Sequence, residues 1–155
     1  MTRCDTGRSP HRHARSPARA ANHEAEMEPR INRPCVLLVD DFLVIRKMYR
    51  EYFQRSGFDV VEAANGVEAL LRVREAVPDV ILMDLSLPLM DGWEATRRLK
   101  SDSRTAGIPV VALTGRTLGG IAATQAGCDA FMTKPCRPSD VVKEIRKVLA
   151  TRSPV

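Results

Sequence analysis

The sequence predicts an α/β fold: a doubly wound parallel sheet of five strands with helices on both faces. Three observations carry that reading. Five short apolar runs, each too short for a helix, alternate with stretches of helical period at βα spacing. Four of those runs stop abruptly at a polar or charged group, namely Asp40-Asp41, Asp84, Thr114 and Lys134. The stretch from Pro78 to Gly92 shows the pattern most sharply. Its apolar run Val80–Met83 ends in Asp84, and Pro88 and Asp91-Gly92 then mark a loop.

The elements follow in order. Residues 1–33 are rich in Arg, His, Ala, Ser and Pro with almost nothing apolar to bury, so a disordered basic tail is expected. His11-Arg12-His13 lacks the ligand cluster of a metal site. Cys35–Val39 reads as a buried strand. From Leu43 to Ser56 the period becomes helical, with Val44, Met48, Tyr52 and Phe53 as the recurring apolar positions. Arg46, Lys47, Arg50 and Arg55 fill the other face, and Gly57 closes the helix. Phe58–Ala63 is the second strand, Asn65-Gly66 a turn, and Val67–Ala76 a helix that Pro78 stops. The third strand ends at Asp84, and the next helix runs from Trp93 to about Lys100, with Trp93 and Leu99 facing inward. Ile108–Leu113 is the fourth strand, ending in Thr114-Gly115. A short helix from about Leu118 to Gln125 closes at Gly127. Asp129–Thr133 is the fifth strand, ending in Lys134-Pro135. Ser139 reads as the N-cap of a last helix whose inner face is Val141, Val142, Ile145, Val148 and Leu149.

The 155 residues fit one domain with a proper core, and no apolar run approaches the roughly 18 residues of a membrane span. No secretory signal is visible, and a soluble, cytoplasmic protein is expected. Cys4, Cys35, Cys128 and Cys136 show no metal-ligand spacing, and Cys35 and Cys128 read as small buried thiols. The net charge is +5, but residues 1–33 hold seven Lys/Arg against four Asp/Glu. The body is therefore close to balanced, which argues against nucleic-acid binding by the folded part.

In a parallel sheet the carboxyl ends of all strands share one edge, where ligand crevices of this architecture form. Asp40, Asp41, Asp84, Thr114 and Lys134 should therefore converge. Three carboxylates packed together repel unless a cation intervenes, and hard oxygen donors suit magnesium. A metal-binding acidic pair, a further carboxylate, a hydroxyl and an ammonium together describe a site for a transferring phosphoryl group.

On these motifs the chain resembles the receiver domains of two-component response regulators, and is similar in layout to the stand-alone regulator of chemotaxis. The motifs are Val36-Leu-Leu-Val-Asp40-Asp41, Met83-Asp84-Leu-Ser-Leu-Pro88-Leu-Met-Asp-Gly92, Ala112-Leu-Thr114-Gly and Phe131-Met-Thr-Lys134-Pro135. The resemblance covers about Arg33 to Ala150, giving a receiver domain over 34–150 and a short tail over 151–155. It implies the flavodoxin-like strand order 2-1-3-4-5 and phosphorylation of Asp84 by a histidine kinase or a histidine phosphotransfer protein. Magnesium would be held by Asp40, Asp41, Asp84 and the Ser86 backbone carbonyl, and Lys134 would pair with the phosphoryl group. Thr114 and Phe131 would be the switch residues, Phe131 turning inward as Thr114 moves. Ser86 and Arg116 occupy positions that tune phosphate lifetime, and Lys134-Pro135 is the candidate cis peptide. The face made by the fourth helix, fifth strand and fifth helix would bind a downstream effector. Gly119-Gly120 weakens that helix, so residues 115–127 should be mobile. Only five residues follow the last helix, so a readout through another protein is expected; the resemblance further implies a switch rather than an enzyme, as a monomer or weak dimer. The competing readings are a phosphorylation-independent adaptor and a phosphate sink in a relay. An aspartyl-phosphate phosphatase would want a second acid where Ser86 stands.

Overall fold

The structure is a computed structural model that describes residues 32–115 and 119–152. The expected disordered tail, as far as residue 31 and including His11 and His13, lies outside the described residues, as do Arg116 and residues 153–155.

Ten elements alternate without interruption: β1 (Cys35–Val39), α1 (Leu43–Arg55), β2 (Asp59–Ala63), α2 (Gly66–Ala76), β3 (Val80–Asp84), α3 (Gly92–Ser101), β4 (Val110–Thr114), α4 (Gly119–Ala126), β5 (Ala130–Thr133) and α5 (Pro138–Ala150). The strands form one sheet in the order β2-β1-β3-β4-β5, with every neighbouring pair parallel. This is the order that the family resemblance implies. The sheet is covered on both sides, which is why its central strands are apolar up to their last residues, Asp84 on β3 and Thr114 on β4.

Side chains alternate across the sheet with period two and so divide the core. Leu37, Val39, Ile81, Met83, Val110 and Ala112 meet Ala69, Val73, Ala95, Leu99 and Ala123 from α2, α3 and α4. Val36, Leu38, Val80, Leu82, Val111 and Leu113 meet Tyr49, Phe53, Val141, Val142, Ile145 and Val148 from α1 and α5. The register sets the strand ends level. Val39 pairs with both Ala63 and Met83, Asp84 with Leu113, and Thr114 with Thr133. Whatever follows those residues therefore emerges at one edge.

Several local expectations change. On α1 the buried residues are Tyr49 and Phe53, with Ile45 packed behind them, whereas Val44, Met48 and Tyr52 are exposed. Both sets step by four residues, so the period admits either face. The aromatic cluster of Tyr49, Phe53 and Phe58 decides the phase, with ring centroids 5.5 and 6.3 Å apart. Strand β4 begins at Val110 rather than Ile108. Pro109 offers no N–H to the ladder, although its carbonyl accepts from Ile81 N–H at 2.9 Å. Helix α5 starts at Pro138 with Arg137 as the capping residue, so Ser139 lies inside its first turn and is not the N-cap. Proline favours the first helical position because its missing donor would have no partner there. Helix α2 has a cap that was read only as a turn: Asn65 Oδ1 accepts from Glu68 N–H at 2.9 Å, and Glu68 reaches back to Ala64 N–H. Cys35, Cys128 and Cys136 are free, and all three are half-buried rather than fully buried. Burial pushes the Cys35 and Cys128 thiols above the usual range. Among the described residues no helix is long and apolar enough to cross a membrane.

Candidate functional site

The first two acids stand where β1 ends. Asp40 is 1% exposed. Its backbone N–H is held by Ala63 O at 3.1 Å, and its Oδ1 accepts from Phe42 N–H at 2.8 Å. Asp41 follows in the connection to α1, half-buried. Asp84 is the last residue of β3 and is buried, and its Oδ1 accepts from Ser86 N–H at 2.9 Å. The chain then turns sharply, and Gly92 at the start of α3 passes against the Asp84 carbonyl so closely that a Cβ there would collide with it.

Lys134 enters from the far side of the sheet. Its backbone N–H is tied to Thr114 O at 2.7 Å, and it precedes a cis bond to Pro135. Its Nζ lies 3.0 Å from Asp84 Oδ2 and 3.4 Å from Asp40 Oδ2. Thr114, the end of β4, is buried beside them. Four side chains that the sequence placed at one edge are therefore gathered there, across 94 positions of chain, with Thr114 joined to Lys134 through the backbone.

One ammonium does not balance three acids. Carboxylate oxygens of Asp40, Asp41 and Asp84 lie within 4.8 Å of one another. At that separation each like-charged pair repels by about 3–4 kcal/mol at an effective dielectric near 20. The electrostatics register the conflict. Burial raises the Asp40 pKa, with the Asp84 charge adding to it and the Phe42 N–H and Lys134 opposing it. Burial alone would lower the Lys134 pKa, but Asp84 and Asp40 outweigh it and hold the ammonium above its usual range. Asp41 Oδ1 is buried and has no hydrogen-bond partner. An unsatisfied buried carboxylate oxygen beside two further carboxylates fits a hard divalent cation such as magnesium.

Phe131 and Ser86 occupy the periphery. Phe131 lies on the edge strand β5 and is 48% exposed, which excludes a plain core aromatic. Ser86 is exposed, two residues beyond Asp84. Arg116 lies outside the described residues. Sequence reasoning missed two features. Arg46, assigned to the polar face of α1, has a side chain only 14% exposed, and its Nη1 donates to Asp40 O at 2.8 Å. Leu89, in the loop between β3 and α3, has φ 64° and is 88% exposed. No periodicity flags either one. Only the spacing of Arg46, one and a half helical turns past the acids, hints at contact.

Comparison with known proteins agrees with this geometry. Residues 36–146 match the family model described as the response regulator receiver domain. The polar-differentiation response regulator DivK of Brucella anthropi is 36% identical over 116 residues, covering 74% of this chain and 94% of that protein. Among solved structures, chemotaxis protein CheY4 of Vibrio cholerae superposes with a TM-score of 0.71 at 31% identity, covering 75% of this chain and 98% of that one. The receiver domain of sensor histidine kinase PA1611 from Pseudomonas aeruginosa PAO1 superposes with a TM-score of 0.70 at 28% identity, covering 76% and 98%. That structure holds a magnesium ion coordinated in its active-site cleft.

Proposed function

Since the chain belongs to the response regulator receiver domain family, we propose that it is a phospho-accepting switch in a cytoplasmic phosphorelay, with Asp84 as the acceptor. The donor is a phosphohistidine on a histidine kinase or a histidine phosphotransfer protein. A carboxylate oxygen of Asp84 attacks phosphorus, the bond from phosphorus to the histidine nitrogen breaks, and that nitrogen keeps the electron pair. The observation that carries this reading is the pairing of Asp84 with the Lys134 ammonium at 3.0 Å inside a cluster of two further carboxylates.

Each residue then has a task. Lys134 releases a carboxylate oxygen and pairs with a phosphoryl oxygen. The Ser86 N–H holds the other oxygen of Asp84 and so keeps the nucleophile oriented. Asp40, Asp41, Asp84 and the Ser86 backbone carbonyl would hold magnesium, which supplies neutralisation of charge on the phosphoryl oxygens. Thr114 moves to donate to the new phosphoryl group, and Phe131 swings from its exposed position toward the space left behind. Ser86 and Arg116 set the lifetime of the acyl phosphate.

Two exposed apolar surfaces support two partners. Phe42, which caps α1 directly after Asp41, and Val44 and Met48 on α1 are exposed and would be covered by the phosphodonor, whereas Ile121 on α4 and Phe131 on β5 would meet the effector. The test is incubation with magnesium and acetyl phosphate followed by intact mass. An adduct of one phosphoryl group is expected for the wild-type chain, and none after EDTA or in Asp84→Asn. An adduct that persists in Asp84→Asn would overturn the assignment.

A further inference from the structure

Arg46 is the fourth residue of α1, and its side chain is folded back onto the strand end rather than into solvent. Its Nη1 donates to the backbone oxygen of Asp40 at 2.8 Å. Its Nε stands 3.4 Å from Glu62 Oε1, an ion pair that lacks hydrogen-bond alignment. Glu62 is itself fixed, since its Oε2 accepts from Arg50 Nη1 at 2.9 Å and its backbone pairs with Leu38 in the ladder between β2 and β1. One guanidinium thus ties the first turns of α1, the edge strand β2 and the peptide that joins Asp40 to Asp41.

That peptide matters because it sets how the two carboxylates face each other. Asp40's carboxylate has its own restraints in the Phe42 N–H and Lys134. Asp41 Oδ1 has none, so its placement depends on the backbone before it. We propose that Arg46, anchored by Glu62, is a positioning residue: it fixes the Asp40–Asp41 peptide and so the spacing of the carboxylates that take a divalent cation. This rests on reading the cluster as a cation site.

The proposal makes a prediction of definite sign. Arg46 is a cation close to a cation site, so Coulomb repulsion alone says that removing it should tighten metal binding. Positioning says the reverse, because partners that orient ligands typically cost about tenfold or more in affinity when lost. Manganese(II), followed by the loss of its free-ion electron paramagnetic resonance signal, serves as the probe on the full chain. Arg46→Met is expected to weaken Mn2+ binding by about tenfold. Arg46→Lys is expected not to restore it, since one ammonium cannot replace a fork that spans two acceptors. Glu62→Gln should weaken binding less, and the double variant should be no worse than Arg46→Met. Arg72→Gln removes a charge from the same groove but bonds only Glu68 and Glu75, and should bind as the wild type does or tighter. Melting in EDTA shows that each variant is folded, and if Arg46→Met is not, Glu62→Gln carries the test. Mn2+ affinity at or above wild type in Arg46→Met and Glu62→Gln would overturn the proposal. Absence of Mn2+ binding by the wild-type chain would overturn the cation site itself.

Discussion

A methyl group at position 92 would meet the Asp84 carbonyl oxygen and, at 2.8 Å, the Cα of Leu85. Neither atom can yield without moving the backbone of Asp84 and Leu85. Gly92→Ala is therefore expected to destabilise the fold by about 1–3 kcal/mol and to slow acyl-phosphate formation more than it lowers stability. Urea unfolding and acetyl-phosphate kinetics on one preparation would check this. A variant with wild-type melting and wild-type rate would refute the close approach. The sequence announced Gly92 only as half of a turn signal, because a collision between residues eight apart depends on the loop's path. The acids were easier to read. Asp40, Asp41 and Asp84 each follow an apolar run that ends at them, and parallel topology does the rest. Phe131 was harder, since residue type alone leaves a plain core aromatic open beside the switch position, and it is the edge position of β5 that goes with its half exposure.

At the scale of the element, α1 shows where pattern reading stops. Val44-Met48-Tyr52 and Ile45-Tyr49-Phe53 are both four-residue ladders, separated by one step of rotation. What chooses between them is non-local: Phe53 meets Phe58, from the loop before β2, edge to face, and Tyr49 OH approaches Cys136 O at 3.5 Å beyond β5. Phe53→Ala should then cost about 3–5 kcal/mol, while Val44→Ala should stay within about 0.5 kcal/mol. Chemical denaturation of both variants decides the phase, and a larger loss for Val44→Ala than for Phe53→Ala would mean that the helix is turned the other way. Helices α3 and α5 gave no such ambiguity, because their apolar residues make one stripe each, whereas on α2 Ala69 and Val73 are buried while Val67 and Leu71 are exposed.

For the molecule as a whole, the fold is held by two apolar layers and strained by its own acidic edge. Three carboxylates against one ammonium leave an excess of negative charge inside the structure. Neutralising one should help when no metal is present. Asp41→Asn is expected to raise the melting temperature in EDTA, and magnesium should then stabilise it far less than the wild type. Magnesium at a hundred times its dissociation constant should stabilise the wild-type chain by about 2.7 kcal/mol. Thermal melts with and without magnesium would show both effects. A lower melting temperature for Asp41→Asn in EDTA would contradict the repulsion argument. The parallel sheet and the convergence of its strand ends were legible at this scale because alternation of apolar runs with helical segments admits few topologies, whereas the strand order came from the family resemblance. The internal conflict of charges was legible too, as soon as the strand ends were placed together.

Lys134 lies 94 positions after Asp40 and 50 after Asp84 in the chain. During synthesis the acids emerge long before the cation that completes them, and β5 must join the edge of the sheet before Lys134 can reach inward. A nascent chain halted after β4 would carry every acid of the crevice but could not hold an incoming phosphoryl group by its amine. Under the function proposed above, competence to receive a phosphoryl group on Asp84 would therefore arrive late in translation, once β5 has joined the sheet.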